Sequence, residues 1–137
     1  MGLTHLDAGV VIGFLDGNDA HHAAATAALA VAVDGGDRLA VSASAFAECM
    51  VGPARRGADA TTVVVDLFER LPIEVVPVDA TVAATAARLR ASHRTLRLPD
   101  AFVVATAIEA RADQLITTDH RWPTARSLGL SAHLTQL

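Results

Sequence analysis

Four acidic residues occupy positions from which their side chains can act together on one substrate: Asp7, Glu48, Asp100 and Asp119. Asp7 and Asp119 each follow a short apolar stretch that is typical of a strand. Glu48 lies in a helical pattern after another predicted strand, and Asp100 lies in the first turn of a long apolar helical segment. In a parallel α/β sheet the strand ends and the starts of the following helices meet at one edge. The four carboxylates are therefore expected to share one pocket.

A pocket of carboxylates favours a bound cation. Clustered like charges repel and raise each other's pKa unless a cation lies among them. Oxygen ligands select Mg²⁺, with Mn²⁺ as a substitute, and no His or Cys has a spacing that indicates zinc. Such an ion polarises a phosphate oxygen, generates hydroxide from bound water and stabilises the leaving oxygen. The four acids therefore predict metal-dependent hydrolysis of phosphodiester bonds.

Each acid also has an ordinary structural explanation. Asp7 and Asp119 stand where an aspartate often caps a helix or closes a turn. Glu48 within a helix is usually a solvated residue, and Asp100 in a first turn is favoured by the helix dipole. One shared cause explains four acids at one sheet edge better than four independent ones, so we prefer the metal site.

The apolar segment 98–108 gives the most specific indication. At about 100° per residue, Val104 and Ile108 fall on the same side of the helix as Asp100, and Thr106 falls opposite. The carboxylate of Asp100 is thus expected to point with the buried face. An ionised group in that position needs a cation or several hydrogen-bond donors to compensate it.

Strands and helices alternate along the chain. Strands are predicted at Leu3–Leu6, Leu39–Val41, Ile73–Val76, Leu115–Thr117 and Ser131–Leu134. Helices are predicted at Ala8–Leu15, Ala20–Val33, from Ser42 or Ser44 to Gly52-Pro53 or Gly57, at Asp59–Arg70, from Asp79 to Arg90 and from Pro99 to Ala110 or Arg111. This alternation is typical of an α/β domain with a mainly parallel central sheet of four to five short strands. We expect one domain over residues 1–137.

Composition narrows the class of protein. The chain has 137 residues, 52% of them hydrophobic, and a formal charge of −4 at pH 7. No apolar run is long enough for a membrane span, and no export signal is recognised, so we expect no membrane association and a cytoplasmic location. The single cysteine excludes an internal disulfide. All eleven basic residues are arginine, so any anion must be recognised by guanidinium groups.

Four short motifs carry a resemblance to a known family. They are Leu-Asp-Ala around Asp7, Ser-Ala-Phe-Ala-Glu ending at Glu48, Leu-Pro-Asp-Ala around Asp100, and Thr-Thr-Asp-His-Arg-Trp around Asp119. In this order they resemble a PIN domain, specifically a ribonuclease toxin of the VapC type. The likeness runs from Leu3 to Trp122 and beyond.

The resemblance implies a three-layer, Rossmann-like fold in which the four acids are catalytic and bind the metal. It implies that Thr117 supports that site through its hydroxyl. It also implies Mg²⁺-dependent cleavage of a structured RNA such as a transfer or ribosomal RNA, homodimerisation, and inhibition by a cognate VapB-type antitoxin.

Two arginines in the connector before Asp100, Arg94 and Arg97, are candidates for contacts to RNA phosphates. Arg55, Arg56 and Arg121 are weaker candidates. Two other functions are compatible with clustered acids. A receiver-like signalling domain also gathers acids around Mg²⁺, but it needs a lysine and this chain has none. A catalytically inactive PIN-like module that binds RNA or protein remains the alternative.

Overall fold

A parallel sheet of five strands organises residues 2–137, the part of the chain that the computed structural model describes. The strands are β1 (Leu3–Leu6), β2 (Arg38–Ser42), β3 (Ile73–Val76), β4 (Gln114–Thr117) and β5 (His133–Gln136). Their order is β3-β2-β1-β4-β5, and every neighbouring pair is parallel. The predicted α/β class with a parallel sheet flanked by helices is confirmed.

Seven helices connect and cover the strands in residues 2–137. They are α1 (Ala8–Leu15), α2 (His22–Asp34), α3 (Ala43–Arg56), α4 (Ala58–Arg70), α5 (Ala80–Ser92), α6 (Leu98–Glu109) and α7 (Ala125–Leu128). They pack largely in consecutive pairs, α1 with α2, α3 with α4 and α5 with α6. None of the helices in this part of the chain is long and apolar enough to cross a membrane.

Short polar side chains cap the N-termini of several of these helices. The hydroxyl of Ser42 accepts a hydrogen bond from the Ala45 amide at the start of α3, and Asp79 does the same for Val82 at the start of α5. α3 continues through Pro53 and ends at Gly57, whose φ of 121° suits a residue without a side chain. Of the two predicted ends for this helix, the later one is therefore correct.

The C-terminal elements differ from the sequence prediction. β5 begins two residues later than the predicted strand Ser131–Leu134. The one-turn helix α7 was not predicted; it forms because the Thr124 hydroxyl accepts from the Ser127 amide and Gly129 ends the turn with a φ of 68°. Four residues are too few to show a helical period in the sequence.

Helix α6 is buried around most of its circumference. Val104 and Ala105 are fully buried, and so is Thr106, which the helical wheel placed on the opposite side from the buried face. That prediction was wrong because α6 is enclosed on more than one side, including by α5. The Thr106 hydroxyl donates to the carbonyl of Phe102 at 2.7 Å, so its burial leaves no unpaired group.

At the amino edge of the sheet, two carboxylates accept hydrogen bonds from the start of β1. Asp37 accepts from the Gly2 amide at 2.9 Å and from the Thr4 hydroxyl at 2.8 Å. Asp113 accepts from the Leu3 amide at 2.8 Å. These acids join the segments before β2 and β4 to β1, and their role is structural. The other edge, where the strands end, carries the candidate site.

Candidate active site

Asp7 lies directly after β1 and caps α1. Its Oδ1 accepts from the Ala8 amide and its Oδ2 from the Thr117 hydroxyl, both at 2.8 Å. The residue is 7% exposed. Burial raises the pKa of Asp7 to about 6; the two hydrogen bonds oppose this shift, and the charges of Asp100 and Glu48 add to it. Asp7 is thus a buried carboxylate with less compensation than its charge requires.

Thr117 ends β4 and links two of the predicted site residues. Because β4 pairs directly with β1, the Thr117 hydroxyl reaches Asp7 across the sheet. The same oxygen accepts from the backbone amide of Asp119 at 3.1 Å. Thr117 is fully buried, so its hydroxyl fixes both the Asp7 carboxylate and the start of the loop that carries Asp119.

Replacing Thr117 with Val should remove both of these hydrogen bonds while keeping the shape of the side chain. We expect a loss of about 1–3 kcal/mol in the free energy of unfolding, since a buried acceptor and donor lose their partner. Urea unfolding measures this loss. The matched control is Thr62→Val, where an exposed hydroxyl bonds only to its own helix at Ala58. Equal stability of the two variants would contradict the linking role of Thr117.

Asp100 lies in the first turn of α6 and is 9% exposed, so its predicted inward direction matches the structure. The Nε of Arg97 lies 3.6 Å from its Oδ2. Burial raises the pKa of Asp100, Arg97 opposes this shift and the charge of Asp119 reinforces it. A single long contact to an exposed arginine compensates this carboxylate only in part.

Glu48 lies on α3 at the rim of the same region. Partial desolvation raises the pKa of its carboxyl, the charge of Asp100 raises it further, and Arg97 lowers it. The residue as a whole is exposed, as expected for a helical glutamate.

Its neighbour Cys49 is buried, and burial raises the pKa of that thiol to about 12, which excludes a thiolate nucleophile at neutral pH.

Asp119 lies in the loop after β4 and is held by an arginine. Its Oδ1 accepts from the backbone amide of Arg121 at 2.8 Å and from the Nε at 3.0 Å, and its Oδ2 accepts from a terminal guanidinium nitrogen at 3.0 Å. The hydrogen bond from Arg121 lowers the pKa of Asp119. The sequence interpretation missed this pair, although an Asp-His-Arg run in a loop is compatible with such a contact.

The four acids influence each other but do not form a compact ligand set as they stand. Asp7 interacts with Asp100 and Glu48, and Asp100 interacts with Asp119. Yet nowhere in residues 2–137 do three or more His, Cys, Asp or Glu side chains form a group that could hold a metal ion. Asp119 faces Arg121 instead.

The donor chemistry nevertheless fits a hard divalent cation. The candidate ligands carry only oxygen, and the buried carboxylates of Asp7 and Asp100 have raised pKa values. A cation near them would remove the repulsion that contributes to both shifts.

The basic connector between α5 and α6 lies beside Asp100. Leu96 is fully buried and anchors it, while Arg94 and Arg97 on either side are exposed. His93 fixes the start of the connector, with Nδ1 2.9 Å from the Leu89 carbonyl and Nε2 3.0 Å from the Ser127 carbonyl. Both arginine side chains are exposed, and their contact to RNA phosphates stays a prediction.

An apolar groove beside Glu48 was not predicted. It has a volume of about 620 Å³ and lies among α1, α3 and α4, with Ile12, Leu15, Val63 and Leu67 in its lining. Ile12 and Val63 are among the exposed large hydrophobic residues. Apolar residues off the buried face of α1 and α4 were the only sequence signal for such a groove.

A parallel α/β domain with buried carboxylates at its strand ends is the class of protein that this fold and site define. The PIN domain family model matches residues 5–127. The chain belongs to the PIN domain family. No curated protein gives a significant match.

Solved structures share this fold. A toxin–antitoxin complex from Klebsiella pneumoniae matches at 23% identity over 85% of this chain and 86% of that chain, with a TM-score of 0.68. VapBC2 from Rickettsia felis, bound to a DNA fragment from its promoter, matches at 15% identity over 96% and 98%, with a TM-score of 0.74. VapC20 from Mycobacterium tuberculosis, described as a sarcin-ricin loop cleaving toxin, matches at 17% identity over 82% and 86%, with a TM-score of 0.65.

Proposed function

We propose that this PIN domain is a Mg²⁺-dependent endoribonuclease toxin of the VapC type that hydrolyses phosphodiester bonds in a structured RNA. The observation that carries the proposal is the burial of two carboxylates at this edge of the sheet, Asp7 and Asp100, which are 7% and 9% exposed and whose pKa values neighbouring acids help to raise. A structural cap needs no such environment, whereas a cation site uses it.

Asp7, Glu48, Asp100 and Asp119 are the residues that would hold the ion. Bound Mg²⁺ or Mn²⁺ would supply positive charge to a phosphate oxygen and lower the pKa of a water molecule. Asp7 is positioned by the Ala8 amide and by Thr117, and Asp100 by its place on the buried helix α6. With a pKa of about 6, Asp7 is mostly ionised at neutral pH and available as a ligand.

The exposed side chains of Arg94 and Arg97 support contacts to RNA phosphates next to this site. The connector that bears them is anchored by the buried Leu96, so little chain entropy opposes binding. Guanidinium groups form paired hydrogen bonds with phosphate oxygens. A net charge of −4 does not exclude this role, because acidic residues at the site itself contribute to that total.

The chain's partners are proposed to be a transfer or ribosomal RNA, a second copy of the chain and a VapB-type antitoxin. The similar folds of the Klebsiella pneumoniae toxin–antitoxin complex and of the Rickettsia felis VapBC2 support an antitoxin. The exposed apolar groove that includes Glu48 in its lining supports a protein partner on this face of the molecule.

The proposal predicts that the purified protein, free of antitoxin, cleaves total RNA in the presence of Mg²⁺ and leaves it intact with a chelator. Sequencing of the cleaved ends would identify the RNA and the position of the cut. An antitoxin encoded in the adjacent reading frame should inhibit this cleavage. The molecular mass of the active species in solution tests the proposed homodimer. RNA that stays intact in both conditions would contradict the nuclease assignment.

A catalytically inactive PIN-like module is the second candidate, and one observation favours it. Asp119 is bound by Arg121, and the described acids do not form a ready ligand set. This module would bind RNA or protein without cutting it, so the same cleavage experiment separates the two candidates.

A further inference from the structure

Both oxygens of the Asp119 carboxylate are bound by one neighbouring residue, Arg121. Arg121 binds it with two side-chain nitrogens, one on each oxygen and each at 3.0 Å, and its backbone amide adds a third hydrogen bond at 2.8 Å. This two-pronged contact matches the planar guanidinium to the planar carboxylate. These three hydrogen bonds use most of the roughly four acceptor positions of the carboxylate and offset its negative charge, so a cation must compete with Arg121 for Asp119.

The other three acids are held differently, and Glu48 forms no salt bridge within residues 2–137. Asp7 accepts from a hydroxyl and a backbone amide, with no arginine on its oxygens. Asp100 has one contact to Arg97 at 3.6 Å, longer than a hydrogen bond. Among the four proposed ligands, Asp119 is thus the one whose charge is neutralised by a close, forked ion pair.

We infer that Arg121 is an internal competitor of the metal ion for Asp119. This inference rests on the proposed metal site. The guanidinium compensates the Asp119 carboxylate while the site is empty and is displaced when Asp119 turns towards a cation. The Arg121 side chain is 77% exposed, so it can leave without breaking other packing.

Two features of the loop make this exchange a local one. The Thr117 hydroxyl fixes the backbone of Asp119 at its amide, so only the side chain has to rotate. Thr117 is itself fully buried and bonded to Asp7, so this anchor does not move with the Asp119 side chain. Removing the Arg121 side chain therefore leaves Asp119 anchored at its backbone and its carboxylate no longer neutralised by a guanidinium group.

Isothermal titration with Mn²⁺ alone tests the competition. Arg121→Gln should bind Mn²⁺ about two- to fivefold more tightly than the wild type, the range expected for the loss of one exposed ion pair. The matched control is Arg126→Gln, which removes the same charge from an exposed residue on α7 that makes no ion pair in the described structure. Its affinity for Mn²⁺ should equal that of the wild type.

A second measurement follows the side chain itself. In the metal-free protein the Nε–H group of Arg121 donates to Asp119, and its NMR signal should shift when Mg²⁺ is added. The corresponding signal of Arg126 should stay constant.

Three results would overturn the inference. The inference is wrong if Arg121→Gln binds Mn²⁺ no more tightly than the wild type does. It is also wrong if Arg126→Gln gains as much affinity as Arg121→Gln, because the gain would then reflect net charge alone. If Mg²⁺ binds and the NMR signal of Arg121 does not change, the competition is rejected but the proposed metal site is retained. If the wild type and Arg121→Gln both fail to bind Mn²⁺, the metal site itself falls.

Discussion

Replacing Asp100 with Asn is expected to lower the rate of RNA cleavage by at least ~100-fold, because a direct metal ligand matters at least as much as the residues that support one. The same change should leave the metal-free protein as stable as the wild type or more stable. Burial raises the pKa of Asp100, and Asp119 raises it further, so a neutral amide removes an unfavourable charge. Cleavage kinetics with Mg²⁺ and urea unfolding with a chelator measure the two effects.

The matched control for Asp100→Asn is Asp59→Asn. Both aspartates lie in the first turn of a helix, but Asp59 is exposed at the start of α4. The control should retain cleavage and lose up to about 1 kcal/mol of stability through its favourable interaction with the helix dipole. If Asp100→Asn loses stability in the same way and still cleaves RNA, Asp100 is an ordinary first-turn acid and not a ligand.

Replacing Asp7 with Asn is expected to stabilise the metal-free protein at neutral and higher pH, although it removes a charged helix cap. The pKa of Asp7 is about 6 in the folded state and 3.8 without the protein environment. The folded state therefore binds this proton more tightly than the unfolded state. The contribution of the protonated Asp7 to the free energy of unfolding is fully present below pH 3.8, and it is lost as the pH rises through the folded-state pKa of about 6. The full loss is about 2–3 kcal/mol in the wild type.

An uncharged Asn at position 7 does not undergo this loss. Its side-chain oxygen can still accept from the Ala8 amide, and its amide group can donate to the Thr117 hydroxyl. Urea unfolding with a chelator, compared between about pH 4 and pH 8, should show an advantage for Asp7→Asn that grows with pH. Added Mg²⁺ should stabilise the wild type at the upper pH and not the variant. A difference that does not change with pH would contradict the raised pKa.

The sequence predicted the fold because its strongest patterns agree with one another. Apolar strands that alternate with helices specify the parallel sheet, and Pro99 with Asp100 marks the start of α6. The direction of Asp100 followed from the helical period. The burial of Thr106 did not follow from the helical period, because a helical wheel assumes one buried face and α6 is enclosed on several sides.

Features of the site that depend on tertiary geometry were out of reach of the sequence. The resemblance alone implied that the Thr117 hydroxyl supports the site, but its partner Asp7 depends on the pairing of β1 with β4, which is not encoded in either strand alone. The Asp119–Arg121 pair depends on a loop conformation that short-range patterns do not specify. The groove beside Glu48 requires the relative placement of three helices. The roles of the four acids in catalysis stay a prediction until the variants are measured.

The two edges of the sheet respond to selection in opposite ways. At the amino edge, Asp37 and Asp113 accept backbone hydrogen bonds, so neutral substitutions there weaken the fold. At the other edge, a neutral residue in place of Asp7 is expected to remove a buried charge and so to stabilise the fold. Under selection for stability alone, Asp37 and Asp113 would be retained and the acids at the strand ends would be replaced by neutral residues. Retention of the strand-end acids among relatives would therefore report on activity and not on folding.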